Sequence, residues 1–141
     1  MGSINVGRVV IGGLAAGVAL NIGDFVINNV LLKSMFDAAM QARNIAPESL
    51  MSGSVIGQFV ALDFVMAMLL VFTYAAIRPR FGAGATTAVI ASLLTAATTS
   101  TLAGYFTAMG FFTWAVWVPA TVASTINFLI AGYLGALLYK E

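Results

Sequence analysis

Residues 13–29 read GLAAGVALNIGDFVINN, an apolar run that nevertheless carries Asn21, Asp24, Asn28 and Asn29. At about 100° per residue, Gly13, Gly17, Asn21, Asp24 and Asn28 fall within an arc of roughly 80° on one helix face. The opposite face is Leu, Val, Ile and Phe. The pattern predicts a membrane helix with one small and polar stripe.

The rest of the chain fits that reading. Of 141 residues, 61% are hydrophobic and only 8% charged, against about 25% charged in a soluble domain, and the mean hydropathy is +1.01. A chain this apolar is expected to use the bilayer as its solvent. The net charge of +1 gives no case for a nucleic-acid partner. Cys and His are both absent. That excludes disulfides, thiolate chemistry and the usual ligands of haem, zinc and iron–sulfur clusters. No cofactor and no metal centre is expected.

The length suits an all-α integral membrane domain, with four transmembrane helices in an antiparallel bundle and one longer loop between helices 1 and 2. The spans are placed at about 9–32, 54–77, 85–106 and 114–139, and the loop at 33–53. Arg8 followed by Val9 to Leu20 mimics a signal peptide, but the apolar run continues, so it is read as a retained first span. Val6 stands where a myristoylation motif wants Ser or Thr, so no lipid anchor is expected there. In the loop, KSMFDAAMQARN either extends span 1 or lies on the surface, and Pro47 with Glu48 suggests a second short turn. Pro79 is expected to end span 2, because the residue before a proline disfavours helical geometry.

Candidate packing positions are the GxxxG of Gly13 and Gly17, with Gly57 and Ala61 on the small face of span 2, Ser92 on span 3, and Gly132 and Gly135 on span 4. Asp63 points away from the small face of span 2. If that face packs inside, Asp63 faces lipid or a partner.

Lys and Arg placement sets the expected orientation. Arg8, Arg78, Arg80 and Lys140 share one side; Lys33 and Arg43, diluted by Asp37 and Glu48, share the other. Both termini are expected to be cytoplasmic. Trp114, Trp117, Phe111 and Phe112 would form an outer aromatic belt, and Tyr74 and Tyr139 an inner one.

Depth brings the polar residues together. Asp24 lies roughly 12 Å below the outer boundary and Asp63 roughly 14 Å, at 1.5 Å per residue. Thr98, Thr99 and Thr121 to Ser124 fall near that level. The candidate polar or ion site is therefore Asn21, Asp24, Asn28, Asp63, Thr99 and Ser124. Carboxyl groups inside a membrane cost about 2.5–3.5 kcal/mol on insertion scales and often mark ion pathways. Asn21 and Asn28 could supply amide oxygens to a hard cation. The competing reading is that Asn and Thr only hold helices together. The Met residues at 35, 40, 66 and 68 read as packing filler, since no His or Cys accompanies them.

The phrases GRVVIGGLAAGVALNIGDFVINNVLL, YAAIRPRFG and GALLYKE resemble a family of small bacterial four-helix membrane proteins of unassigned function. The resemblance implies a bacterial inner (cytoplasmic) membrane and four spans, and brings no catalytic or binding residues with it.

No nucleophile–base pair or phosphate-binding loop is present, so no enzyme is expected. The first functional expectation is a non-enzymatic subunit packing through small and polar helix faces, against itself or in a larger membrane complex. The alternative is a small proton- or cation-coupled transporter or channel using Asp24 and Asp63. The partners expected are the lipid bilayer and other membrane subunits or a second copy.

Overall fold

The computed structural model describes residues 4–139, which are helical with short connections and no strands. Helix α1 is Val6–Val26, opened by the Asn5 side chain, which accepts from the Arg8 amide at 3.1 Å. It runs into one π turn, Ile27–Leu31, where the Leu32 amide reaches the Ile27 carbonyl at 2.8 Å. A short helix α2, Lys33–Gln41, follows, then a 3₁₀ turn, Pro47–Met51. Three long helices complete the chain: α3 (Gly53–Phe81), α4 (Ala85–Ala108) and α5 (Trp114–Leu138). Including the π turn with α1, four helices are long and apolar enough to cross a membrane. Gly2, where a myristoyl group would sit, and Lys140, one of the cations used to assign orientation, lie outside the described residues.

Pro79 does not end α3. The helix continues to Phe81 and stops at Gly82, whose φ of 85° lies in the left-handed region that glycine tolerates. A proline near a helix end removes one backbone donor, and here the last turn still closes through the Gly82 amide on the Arg78 carbonyl at 2.8 Å. Pro119 likewise lies inside α5 without ending it.

The long helices pack around a ring, α1 on α3 and α5 and α4 on α3 and α5, and α3 also touches α5 across the middle, where Val71 meets Gly135. Glycines set how close they come. A Cβ on Gly12 would lie 2.6 Å from the Gly135 carbonyl oxygen, so α1 and α5 touch backbone to backbone. On the other side of α1, Gly13 receives Met68 and Gly17 receives Phe64, both from α3. The GxxxG thus serves as a pair of holes for large α3 side chains. Gly132 of α5 faces Ser92 of α4 in the same way. Between them lie the buried Ala16, Ala67, Leu70, Val71, Ala91 and Ala131.

This arrangement reverses the role of span 2. Its inward face is the large one, with Leu70, Val71 and Tyr74, while Ser54, Gly57 and Ala61 are exposed and a Cβ on Gly57 would meet nothing within 4 Å. The small residues needed for close approach are already on α1, so α3 supplies the knobs.

The tyrosines expected in an inner belt are also inside. Tyr74 is 4% and Tyr139 2% exposed. Their rings meet edge to face at 5.9 Å, and their hydroxyls accept from the Gly84 and Asn5 amides at 3.2 and 3.1 Å. They tie the start of α1, the α3–α4 turn and the end of α5 together. At the opposite end, Trp114 is 56% exposed and packs on the half-buried Trp117, whose indole donates to the Ser100 carbonyl at 3.1 Å.

Candidate functional site

Asp24 lies on α1, one turn before the π turn, and Asp63 lies ten residues into α3. The Gly13–Met68 and Gly17–Phe64 contacts fix the register between the two helices. Cα–Cβ bonds tilt toward the N-terminus of their own helix. In this register the two aspartates therefore lean toward each other. Their carboxyl groups interact with each other and line the same cleft. Because α3 turns its large face inward, Asp63 faces α1.

A third helix reaches the pair. Asn127 of α5, 5% exposed, donates through Nδ2 to Asp24 Oδ1 at 2.8 Å and to the Leu20 carbonyl at 3.1 Å. Gly23 makes room for it, since a Cβ at that position would overlap the Asn127 amide. One carboxylate oxygen of Asp24 is thus held by α5, and the group also meets Asp63.

The two aspartates form the polar floor of a cleft of about 450 Å³. Asn21 and Asn28 line it as well. Each commits its amide N–H to a carbonyl four residues back, Asn21 to Gly17 at 2.9 Å and Asn28 to Asp24 at 2.8 Å. The amide oxygen is then the end available to water or a cation. The π turn carries Asn28 and Asn29 to the wall of the cleft, a use typical of such turns at functional sites.

The walls are apolar, built from Phe25, Ile56, Phe59 and Val60. Phe36, Met40, Pro47 and Met51 come from the 33–51 connection, and Phe112 from the turn before α5. Phe36 and Phe112 meet edge to face at 6.4 Å, and Arg43 sits 5.5 Å over the Phe111 ring, so the connection is anchored across the end of the bundle. Among the described residues, no Lys or Arg lines the cleft. Asp37, which does line it, is paired with Lys33 at 2.5 Å. Two carboxylates side by side with no cation repel, and a shared proton or a bound cation removes the repulsion.

Of the six residues singled out from sequence, the structure brings four together: Asn21, Asp24, Asn28 and Asp63. Thr99 and Ser124, both half-buried, lie outside the cleft wall. The Thr99 hydroxyl bonds to the Thr95 and Ala96 carbonyls of its own helix at 3.1 and 3.0 Å. Ser92, Thr95, Thr98 and Thr107 do the same one turn back along α4. These hydroxyls are satisfied locally and do not connect helices.

Asn127 is the residue that depth reasoning missed. Counting from Trp114 put Thr121 to Ser124 level with the aspartates, one turn short of it. An α5 side chain leans back toward Trp114, and Asn127 covers the missing turn that way. Its identity as the one amide side chain of α5 was the available signal.

The chain matches no protein-family model, no curated protein and no solved structure.

Proposed function

We propose that this chain is a multi-pass protein of a bacterial inner membrane whose four long helices cross in alternating directions with both termini cytoplasmic. Between Asp24 and Asp63 it binds a proton or a cation, as a small proton- or cation-coupled transporter or channel. The observation that carries this reading is the adjacency of the two carboxyl groups in a cleft that no Lys or Arg among the described residues lines. Such a pair is costly as structural glue, because two like charges in apolar surroundings need a third party. The topology is supported by Arg8, Arg78 and Arg80 at the tyrosine end of the bundle and by the acid-diluted Lys33 and Arg43 at the other.

The test is flux in proteoliposomes across a panel of H⁺, Na⁺ and K⁺ gradients. Wild-type protein is expected to dissipate at least one gradient. Asp24→Asn and Asp63→Asn should abolish that flux while the proteins still elute as the wild type does. The asparagine at 24 keeps an acceptor for Asn127. Wild-type vesicles as tight as empty ones, or unchanged flux in both variants, would end the proposal.

A second reading has its own observation. Ser54, Gly57 and Ala61 form an exposed small face that the bundle does not use. Such a face suits close packing against another membrane helix, as a non-enzymatic subunit of a larger complex or a homo-oligomer. Four helices are also few for alternating access, and a dimer would supply the second half. Native mass spectrometry from mild detergent separates the cases: a homodimer supports transport, whereas a stoichiometric set of other subunits makes the chain an accessory component.

A further inference from the structure

The cleft says more about the ligand than its charge. At about 450 Å³ it is far larger than a bare ion needs and falls in the range of roughly 300–1,000 Å³ typical of sites for drug-sized molecules. Its polar lining is Asn21, Asp24, Asn28, Asn29, Asp63 and the ion-paired Asp37, and the remaining wall is aromatic and aliphatic. Among the described residues, no three acidic, His or Cys side chains gather as a multivalent metal site requires.

One side of the opening is apolar too. Phe25 and Phe59, which flank the aspartates on α1 and α3, are 63% and 55% exposed, and Ile56 and Met51 are exposed beside them. These side chains belong to the lipid-facing surface and to the cleft at once. A ligand can therefore enter from the bilayer on this apolar side, while the exposed Asn28 lines another part of the cleft.

We infer that the cleft takes an organic monocation bearing apolar groups, such as a quaternary ammonium or phosphonium. Its charge rests between Asp24 and Asp63, and its substituents lie against Phe25, Phe36, Phe59 and Met40. The inference rests on the cation site proposed above and names its substrate class. The acid pair supplies the counter-charge, and the phenyl rings supply apolar area and the attraction of an aromatic face for a cation. A hydrated inorganic cation gains nothing from the aromatic wall. An anionic amphiphile is repelled by the floor.

The probe is tetraphenylphosphonium, with tetramethylammonium as a cation too small to reach the walls, measured by equilibrium dialysis on the full chain in nanodiscs. Tetraphenylphosphonium is expected to bind saturably at one site per cleft, and tetramethylammonium much more weakly. Asp63→Asn should abolish binding. This variant leaves the Asn127–Asp24 bond in place, so loss of fold is not the expected cause, and an unchanged elution profile verifies it. Phe59→Ala, at an exposed position, should weaken binding about tenfold.

Absent or non-saturable tetraphenylphosphonium binding, or binding indifferent to both Asp63→Asn and Phe59→Ala, overturns the inference. Ion flux separates this failure from that of the underlying site. If tetraphenylphosphonium fails to bind but Asp63→Asn still abolishes H⁺, Na⁺ or K⁺ flux, the cation site stands and the organic ligand falls. If both fail, both fall.

Discussion

Asn127 reaches across the bundle to place its amide 2.8 Å from Asp24 Oδ1 and 3.1 Å from the Leu20 carbonyl, above a glycine that has no side chain to obstruct it. This one side chain ties α5 to α1 and holds one of the two aspartates. Gly23→Ala places a methyl group where the amide sits. The amide must then give up at least one bond or push the helices apart. Thermal unfolding in detergent, followed by tryptophan fluorescence, should show a loss of about 1–3 kcal/mol. Combined with Asn127→Ala, the loss should be less than the sum of the two, because both changes break the same contact. Strict additivity would mean that Gly23 acts through something else.

The glycines divide into those the fold needs and those it leaves free. Gly12→Ala puts a Cβ against the Gly135 carbonyl oxygen at 2.6 Å, a backbone atom that cannot swing aside, with Val71 Cγ1 at 3.1 Å beside it. It should destabilise by about 1–3 kcal/mol. Gly57→Ala meets nothing within 4 Å and, inside a helix, should raise monomer stability by about 0.5–1 kcal/mol. If copies of the chain associate through that face, the bulkier Gly57→Leu should shift the native mass spectrum from dimer to monomer without lowering the melting curve of the monomer.

The hydroxyls of α4 provide a contrast with the aspartates. Thr95 and Thr98 bond to the Ala91 and Leu94 carbonyls at 2.9 and 2.8 Å, within their own helix. Replacing either by Val removes a bond that the helix does not need for its ladder. Thr95→Val and Thr98→Val should keep stability within about 0.5 kcal/mol and leave flux as in the wild type. A large loss of flux in either would give the α4 hydroxyls a part in transport.

The tyrosine end of the bundle should respond to loss of a single oxygen. Tyr74→Phe leaves the Gly84 amide without its acceptor at 3.2 Å, and Tyr139→Phe does the same for Asn5. Each should cost about 0.5–1.5 kcal/mol. Hydrogen exchange should quicken at Gly84 in the first variant and at Asn5 in the second, each leaving the other amide protected. Equal effects of both variants at both amides would mean that the end melts as one unit.

Composition and apolar run length were enough to read four long apolar helices from the sequence, because those properties are additive along the chain and need no knowledge of neighbours. The stripe of Gly13, Gly17, Asn21, Asp24 and Asn28 was legible for the same reason, since helical periodicity alone puts it on one face. Tertiary structure decided which face of each helix turns inward. Both faces of span 2 were plausible interiors, and only the prior presence of glycine holes on α1 made its large face the inner one, carrying Asp63 to Asp24. It also decided where Asn127 points, which tyrosines are buried, and that the 33–51 connection roofs a cleft. Spacing records the direction of a side chain about its own helix axis. Contact between helices depends on crossing and register, and these follow from how all four surfaces fit at once.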